Sequence, residues 1–535
     1  MKKSTRFNIL IALTYSVTLI GGMYLGYRFL KDQGFKLERA LRYSDNSTQK
    51  VEDIIHIINK NYVDEVNADS LQHLPIDSLL HQLDPHSIYL PATKAYEFAE
   101  TLQGNFEGIG VEYYIINDTL LVTNVLKDGP AFLAGVKQGD KILRIDSAYV
   151  SGRSLPRSEM VGKIKGKKGT SVQLQLIQAN NKLPIIYHIK RGKVEVSSID
   201  AAYMLNTETA YVRISKFGAN TDEDFVNAIR NLKTKGMKKL ILDLRDNGGG
   251  YVTAATSLAN QFLAENKLIT YTEGKHEPRT DYFASGGGEF EQGKLAVLIN
   301  ENSASASEIF AGAIQDLDRG IIVGRRSFGK GLVQEQFPFE DGSALNLTIA
   351  RYYTPLGRSI QKPYKKGYAA YQRELEDRFV DGELTAKNTK PKDSLVKAPT
   401  FVTQGGKKVF GGGGIQPDVF VKLDTAGFNK FYTNLVTKKI LIDFVFENLV
   451  DRYNPTFIAQ NLNTFTISET DYKDLLKYLQ AKNIVIDTKQ LAIAKPLIYN
   501  DLKVMLCKYH LGDIGYYKAN NLTDNVVKQA LTSLQ

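Results

Sequence analysis

Apolar residues recur at helical spacing between residues 45 and 103, where Val51, Ile54, Ile55 and Ile58 are followed by Leu79, Leu80 and Leu83. This predicts a small N-terminal helical subdomain. From Phe106 the apolar runs shorten to strand length, at residues 120–122, 141–145 and 172–176, with Gly-containing turns between them. A β-rich module over residues 104–192 follows from that spacing. After Gly192, runs at 210–214, 240–244 and 295–299 alternate with helical spacing at 221–235, after Gly250 and at 305–316. Such alternation predicts a layered α/β core over 193–425. The polar stretch 366–410 predicts an excursion or flexible insert, and from 426 to 535 the pattern turns mainly helical without a chemical signature.

At the N-terminus, residues 7–27 carry no charged side chain and are flanked by Lys2, Lys3, Arg6, Arg28 and Lys31. About 21 helical residues reach roughly 31 Å, enough for a hydrocarbon core. A signal anchor over 7–30 with a cytoplasmic tip at 1–6 is expected, a cleaved signal peptide being the rival. Positive-inside orientation then predicts a single-pass inner-membrane protein with everything after residue 30 on the periplasmic side.

The chain has 535 residues, enough for several domains, and a formal charge of +10 dispersed among 58 acidic residues. Lys165, Lys167 and Lys168 form the densest basic cluster but lack interleaved aromatics, which argues against a nucleic-acid partner. Cys507 stands alone and cannot form an internal disulfide. There is no H-E-x-x-H, no Cys pair and no tight His/carboxylate group, so no metal is expected; G-x-x-x-x-G-K-[ST] fails because Gly331 replaces the hydroxyl residue. No cofactor is implied.

Small hydroxyl residues gather in Ser303-Ala-Ser-Ala-Ser-Glu308, where a predicted strand gives way to a helix. A nucleophile there would be exposed, with helix N-terminal N–H groups at hand for an oxyanion, although Ser is also an ordinary helix cap. Of seven histidines only His276 falls in the α/β region, so a Ser-His-Asp triad would have to recruit it from a polar loop. Lys330 is the alternative base.

With Phe328-Gly-Lys-Gly331, Gln334 and Asp243-Leu-Arg-Asp-Asn-Gly-Gly-Gly250, the serine run resembles the carboxyl-terminal processing (tail-specific) peptidases of the serine-lysine family S41. The resemblance covers most of residues 50–422. It implies a crotonase/ClpP-like α/β protease core, Ser305 as nucleophile, Lys330 as general base and Gln334 as the residue orienting the lysine. It also implies an oxyanion hole from the N–H groups of Gly250 and Ala306, the choice among the three glycines staying open. Lys330 must be neutral to accept a proton, so burial has to lower its pKa by about three units, or roughly 4 kcal/mol. Asp243, Arg245 and Asp316 read as framework, and Glu308 as favourable charge in a first helical turn.

The β-rich module resembles an inserted PDZ domain, with Gly108-Ile-Gly-Val111 at the carboxylate-binding loop. The resemblance implies that Gly108, Ile109, Gly110 and Val111 receive a substrate C-terminus while the peptide adds as a strand; a degenerate PDZ that only packs on the core is the alternative. Leu83-Asp-Pro-His-Ser-Ile-Tyr-Leu90 looks like a family signature of structural use, which leaves His86 outside the chemistry. The resulting expectation is an anchored serine endopeptidase acting on proteins with exposed C-termini. A homo-oligomer or adaptor partner stays open. The rivals are a silent PDZ adaptor and a crotonase-like acyl-CoA enzyme.

Overall fold

Strand-forming runs that are mainly apolar on both faces are buried on both sides, and they form most of a six-stranded central sheet. In the computed structural model, which describes residues 76–152, 157–178, 181, 183–385 and 399–535, the central sheet runs Ile199–Met204, Thr209–Ile214, Lys239–Asp243, Lys294–Ile299, Ile321–Gly324, Val419–Phe420. The first pair is antiparallel and the rest are parallel. Alternate residues serve two cores. Val212, Leu242, Val297 and Ile322 face the helices Thr221–Thr234, Val252–Asn260 and Ala306–Asp316. Tyr211, Ile241, Leu298 and Val323 face the opposite way, onto Val526, Val527 and Ala530 of the last helix, Asn525–Ser533.

A second sheet stands beside the first. Ala344–Tyr353 is its spine, pairing with Ile88–Leu90, Leu268–Glu273 and Leu332–Pro338. The β-rich module has its own core, built from Ile109, Leu120, Val122, Ile142, Leu174 and neighbours. Its strand Val111–Ile116 lies at a sheet edge, pairing among the described residues only with Thr119–Val125.

Residues 430–521 fold as helices around a separate core of Phe444, Leu475, Ile498 and Leu502. They also touch the β-rich module, where Tyr114 donates to Asp443 at 3.0 Å and stacks on Phe446 at 5.1 Å.

Two expectations change. The stretch read as an insert holds the helix Tyr368–Val380 and a hairpin of Thr400–Val402 with Lys408–Phe410; residues 386–398 lie outside the described residues. Its buried positions, Tyr371 and Arg378, are polar, which hides the helical period. The single-pass inner-membrane localisation is also corrected, because among the described residues no helix is long and apolar enough to cross a membrane. The longest, Thr488–Asn521, carries Lys495, Asp501, Lys503, Lys508, Asp513 and Lys518 along its length. The 7–30 segment and residues 45–75 lie outside the described residues.

Phe310 is fully buried and meets Phe262 edge-on at 5.3 Å. Phe310→Ala should lower the unfolding free energy by about 3–5 kcal/mol in denaturant titration; a loss under 1 kcal/mol would mean that this core does not close as described.

Candidate active site

Ser305 sits at the N-cap of Ala306–Asp316 with φ 55° and ψ −114°, a conformation that a non-glycine residue adopts only when its surroundings hold it there. The hold is visible. Its N–H donates to Glu308 Oε2 at 2.9 Å, and the carbonyl of Ser305 accepts from the N–H groups of Glu308 and Ile309. Ser303 stabilises the turn behind it, donating to the Leu244 carbonyl at 2.8 Å and accepting the Asn300 N–H at 2.9 Å. The Ala306 N–H takes no partner among the described residues, as expected of an amide in the first helical turn.

Facing Ser305 is the turn after Lys239–Asp243. Gly249 has φ 101°, and a Cβ there would lie 2.8 Å from both the Ala304 oxygen and the Ser305 Cβ, so the close approach requires glycine. Gly250 has φ 152°, and a Cβ would sit 2.0 Å from the Phe217 oxygen. The Gly249 N–H donates to Asn247 Oδ1, while the Phe217 N–H donates to the Gly249 carbonyl at 3.0 Å and the Phe217 carbonyl accepts the Tyr251 N–H at 2.9 Å.

Lys330 precedes the strand Leu332–Pro338. Burial holds its ammonium below the ordinary lysine value, with the negative charges of Asp84 and Glu308 acting in the opposite direction. Gln334 lies further along, its Nε2 donating to Thr348 Oγ1 at 3.2 Å. Ser305, Lys330, Gln334 and Gly250 line one cleft of about 570 Å³, together with Phe98 and Leu102 of the helix Ala92–Gln103, and His86, Leu332 and Tyr352. Gly108, Ile109, Gly110 and Val111 are not in its lining; they lie in the β-rich module, where Ile109 accepts the Ala131 N–H at 2.8 Å and Gly110 accepts that of Leu126 at 2.9 Å.

Three features were not read from the sequence. Glu308 is fully buried and takes four donors: Ser305 N–H and Lys330 N–H on Oε2, both at 2.9 Å, and Ser327 Oγ–H at 2.5 Å and Gly329 N–H at 2.8 Å on Oε1. Its position three residues after Ser305 signalled only a helix start. Tyr352 places its hydroxyl 2.7 Å from the Lys330 carbonyl and 3.2 Å from that of Ser305; only strand pairing brings it there. His86 lines the cleft, with Nε2 at 2.7 Å from the Tyr371 hydroxyl and a pKa lowered by burial and by Lys330 to about 3. It is therefore neutral at physiological pH. Asp84 shapes that turn by accepting the N–H groups of His86 and Ser87 at 2.7 and 2.9 Å. Among the described residues no His, Cys, Asp and Glu cluster could hold a metal ion.

Burial raises the Glu308 carboxyl from 4.5 to about 7 although four hydrogen bonds oppose the shift. Between those values the unfolded chain has lost this proton and the folded protein retains it, so this group makes stability fall as pH rises through that window. Glu308→Gln should flatten that part of the profile, read by urea unfolding at pH 5 and pH 7.5. An unchanged slope would mean that Glu308 does not titrate there.

The family description "Peptidase family S41" matches residues 208–367 and "PDZ domain" matches 108–185. A probable CtpA-like serine protease of Staphylococcus aureus strain N315 is 31% identical over 364 residues, covering 67% of this chain and 71% of that protein. A carboxy-terminal-processing protease of Bartonella bacilliformis is 33% identical over 357 residues, covering 64% and 81%. Among solved structures, a photosystem II D1 C-terminal processing protease is 27% identical, covering 59% of this chain and 90% of that one with a TM-score of 0.33. With a PDZ domain beside a catalytic core, and identity at that level over two thirds of its length, this chain belongs to peptidase family S41 and is a serine peptidase of the carboxy-terminal-processing kind.

Proposed function

We propose that the chain is an endopeptidase that captures proteins by an exposed C-terminus and cleaves them through an acyl-enzyme on Ser305. The observation that carries this reading is the placement of Ser305 and a buried, pKa-lowered Lys330 in one cleft. Neutral Lys330 Nζ takes the Ser305 proton as Oγ attacks the scissile carbonyl. Negative charge then develops on the carbonyl oxygen, and the N–H groups of Gly250 and Ala306 are assigned to receive it, helped by the N-terminal end of Ala306–Asp316. The Lys330 ammonium gives its proton to the leaving amine. Water then hydrolyses the ester with Lys330 again as base. The Gln334 amide nitrogen is engaged with Thr348, so its oxygen is the end assigned to orient the lysine.

Capture is assigned to Gly108, Ile109, Gly110 and Val111. Two facts support it: the left-handed φ of 79° at Gly110, which turns the loop, and the edge position of Val111–Ile116, where a peptide can add as a further strand. The domain limits 104–192 and 193–425, and a crotonase-like description of the core, belong to the same reading.

Lys330→Arg should be nearly inactive on peptides although its charge is kept, because guanidinium does not deprotonate in the working range. Ser305→Ala should be equally inactive, and circular dichroism should show both folded. Substantial hydrolysis by folded Lys330→Arg would sink the dyad. Since Lys330 is lowered from 10.5, wild-type kcat/KM should rise with pH along a limb whose midpoint lies below that value. Gly110→Val should weaken discrimination between substrates that differ only at the C-terminus and spare cleavage of a short peptide; equal loss on both would place the loop in the control of the catalytic site instead.

A further inference from the structure

The last helix covers the sheet face opposite the helix that begins at Ser305, and Asp524 is its first anchor. Its Oδ1 accepts the N–H groups of Val526 at 2.8 Å and Val527 at 3.2 Å. Its Oδ2 accepts from Arg245 Nη1 at 2.7 Å, across 279 residues of sequence. Arg245 is also committed on its other side, where Nη2 meets Asp243 Oδ2 at 2.6 Å and Nε meets Asp243 Oδ1 at 3.0 Å. Side-chain exposures of 14% for Arg245, 10% for Asp524 and 0% for Asp243 keep water from replacing these contacts.

Arg245 opens the glycine turn. Directly after it, the Asp246 N–H donates to Asn300 Oδ1 at 2.9 Å. The Asn247 carbonyl accepts the Ala304 N–H at 3.0 Å and Ser307 Oγ–H at 2.9 Å, while Asn247 Oδ1 holds the Gly249 N–H at 2.9 Å. The turns at 243–250 and 300–307 are thereby one hydrogen-bonded body, and Arg245 is where the C-terminal region enters it. Nε and Nη2 fork onto Asp243 while Nη1 reaches Asp524, so the guanidinium is held at both ends; without the Asp524 charge its Nη1 end loses its ionic partner.

We infer that Asp524 is a positioning residue for the glycine turn assigned to the oxyanion, so that the final helix is a working part of the catalytic core. This rests on the Ser305 reading above. A purely structural role, capping the helix, is separable because Asn caps as well as Asp does but carries no charge for Arg245.

The test uses the full chain as wild type, Asp524→Asn, Asp524→Ala and Ser305→Ala. It measures kcat and KM on a short peptide, the active fraction by titration, thermal unfolding, and the affinity of a peptide aldehyde whose adduct oxygen occupies the oxyanion position. Asp524→Asn should lose about tenfold or more in kcat per active site and weaken aldehyde binding by a similar factor, with KM within about twofold of wild type. Asp524→Ala should show the same catalytic loss with a further fall in Tm. Unchanged kcat per active site and unchanged aldehyde affinity in Asp524→Asn would overturn this inference alone. Undiminished hydrolysis by Ser305→Ala would overturn the dyad, and the inference with it.

Discussion

One buried carboxylate organises the catalytic cleft. Glu308 accepts backbone N–H groups from Ser305, on the first of two loops, and from Gly329 and Lys330, on the second. No apolar contact could do this, since the relative position of two backbones is fixed here by directed bonds of 2.8–2.9 Å to one planar group. The same carboxylate holds Ser327, whose hydroxyl in turn accepts the Ile415 N–H at 2.6 Å. The strained backbone of Ser305 persists because of this over-determination. A serine and a lysine 25 positions apart in the chain are thus presented on a common scaffold.

That solution creates an electrostatic conflict. The lysine proposed as base, which must be neutral for that role, lies near Glu308 and Asp84, whose charges favour its protonated form. Desolvation is the larger effect and carries Lys330 below its ordinary value. The surroundings are arranged to preserve that outcome. Neutral His86 and the buried hydroxyls of Tyr352 and Tyr371 bring polarity without adding charge.

Much of the central sheet was legible because its strands are unbroken apolar runs; the 240–244 and 295–299 runs fall within one residue of Lys239–Asp243 and Lys294–Ile299. Ser305, Lys330, Gln334 and Gly250 were singled out through the family resemblance, and all four line one cleft. Glu308 was read only for its local place in the first helical turn, which it holds; its further bonds to the Lys330 loop are tertiary and left no mark in the sequence. Tyr352 and Asp524 carried no local signal: each acts through a contact far away in sequence, one made by strand pairing and one by docking of a terminal helix. The Tyr368–Val380 helix was missed because ionic bonds, including Arg378 with Glu383 at 3.0 Å, occupy the positions where an apolar stripe would show.

The central claim is that burial keeps Lys330 available as a neutral base. Its side chain can be titrated directly in protein labelled with 13C at lysine Cε, with the resonance assigned by its absence in Lys330→Arg and read between pH 6 and about 11. The account predicts a midpoint clearly below the ordinary lysine value of 10.5. A midpoint at or above that value would show that Glu308 and Asp84 outweigh desolvation, and would contradict the dyad.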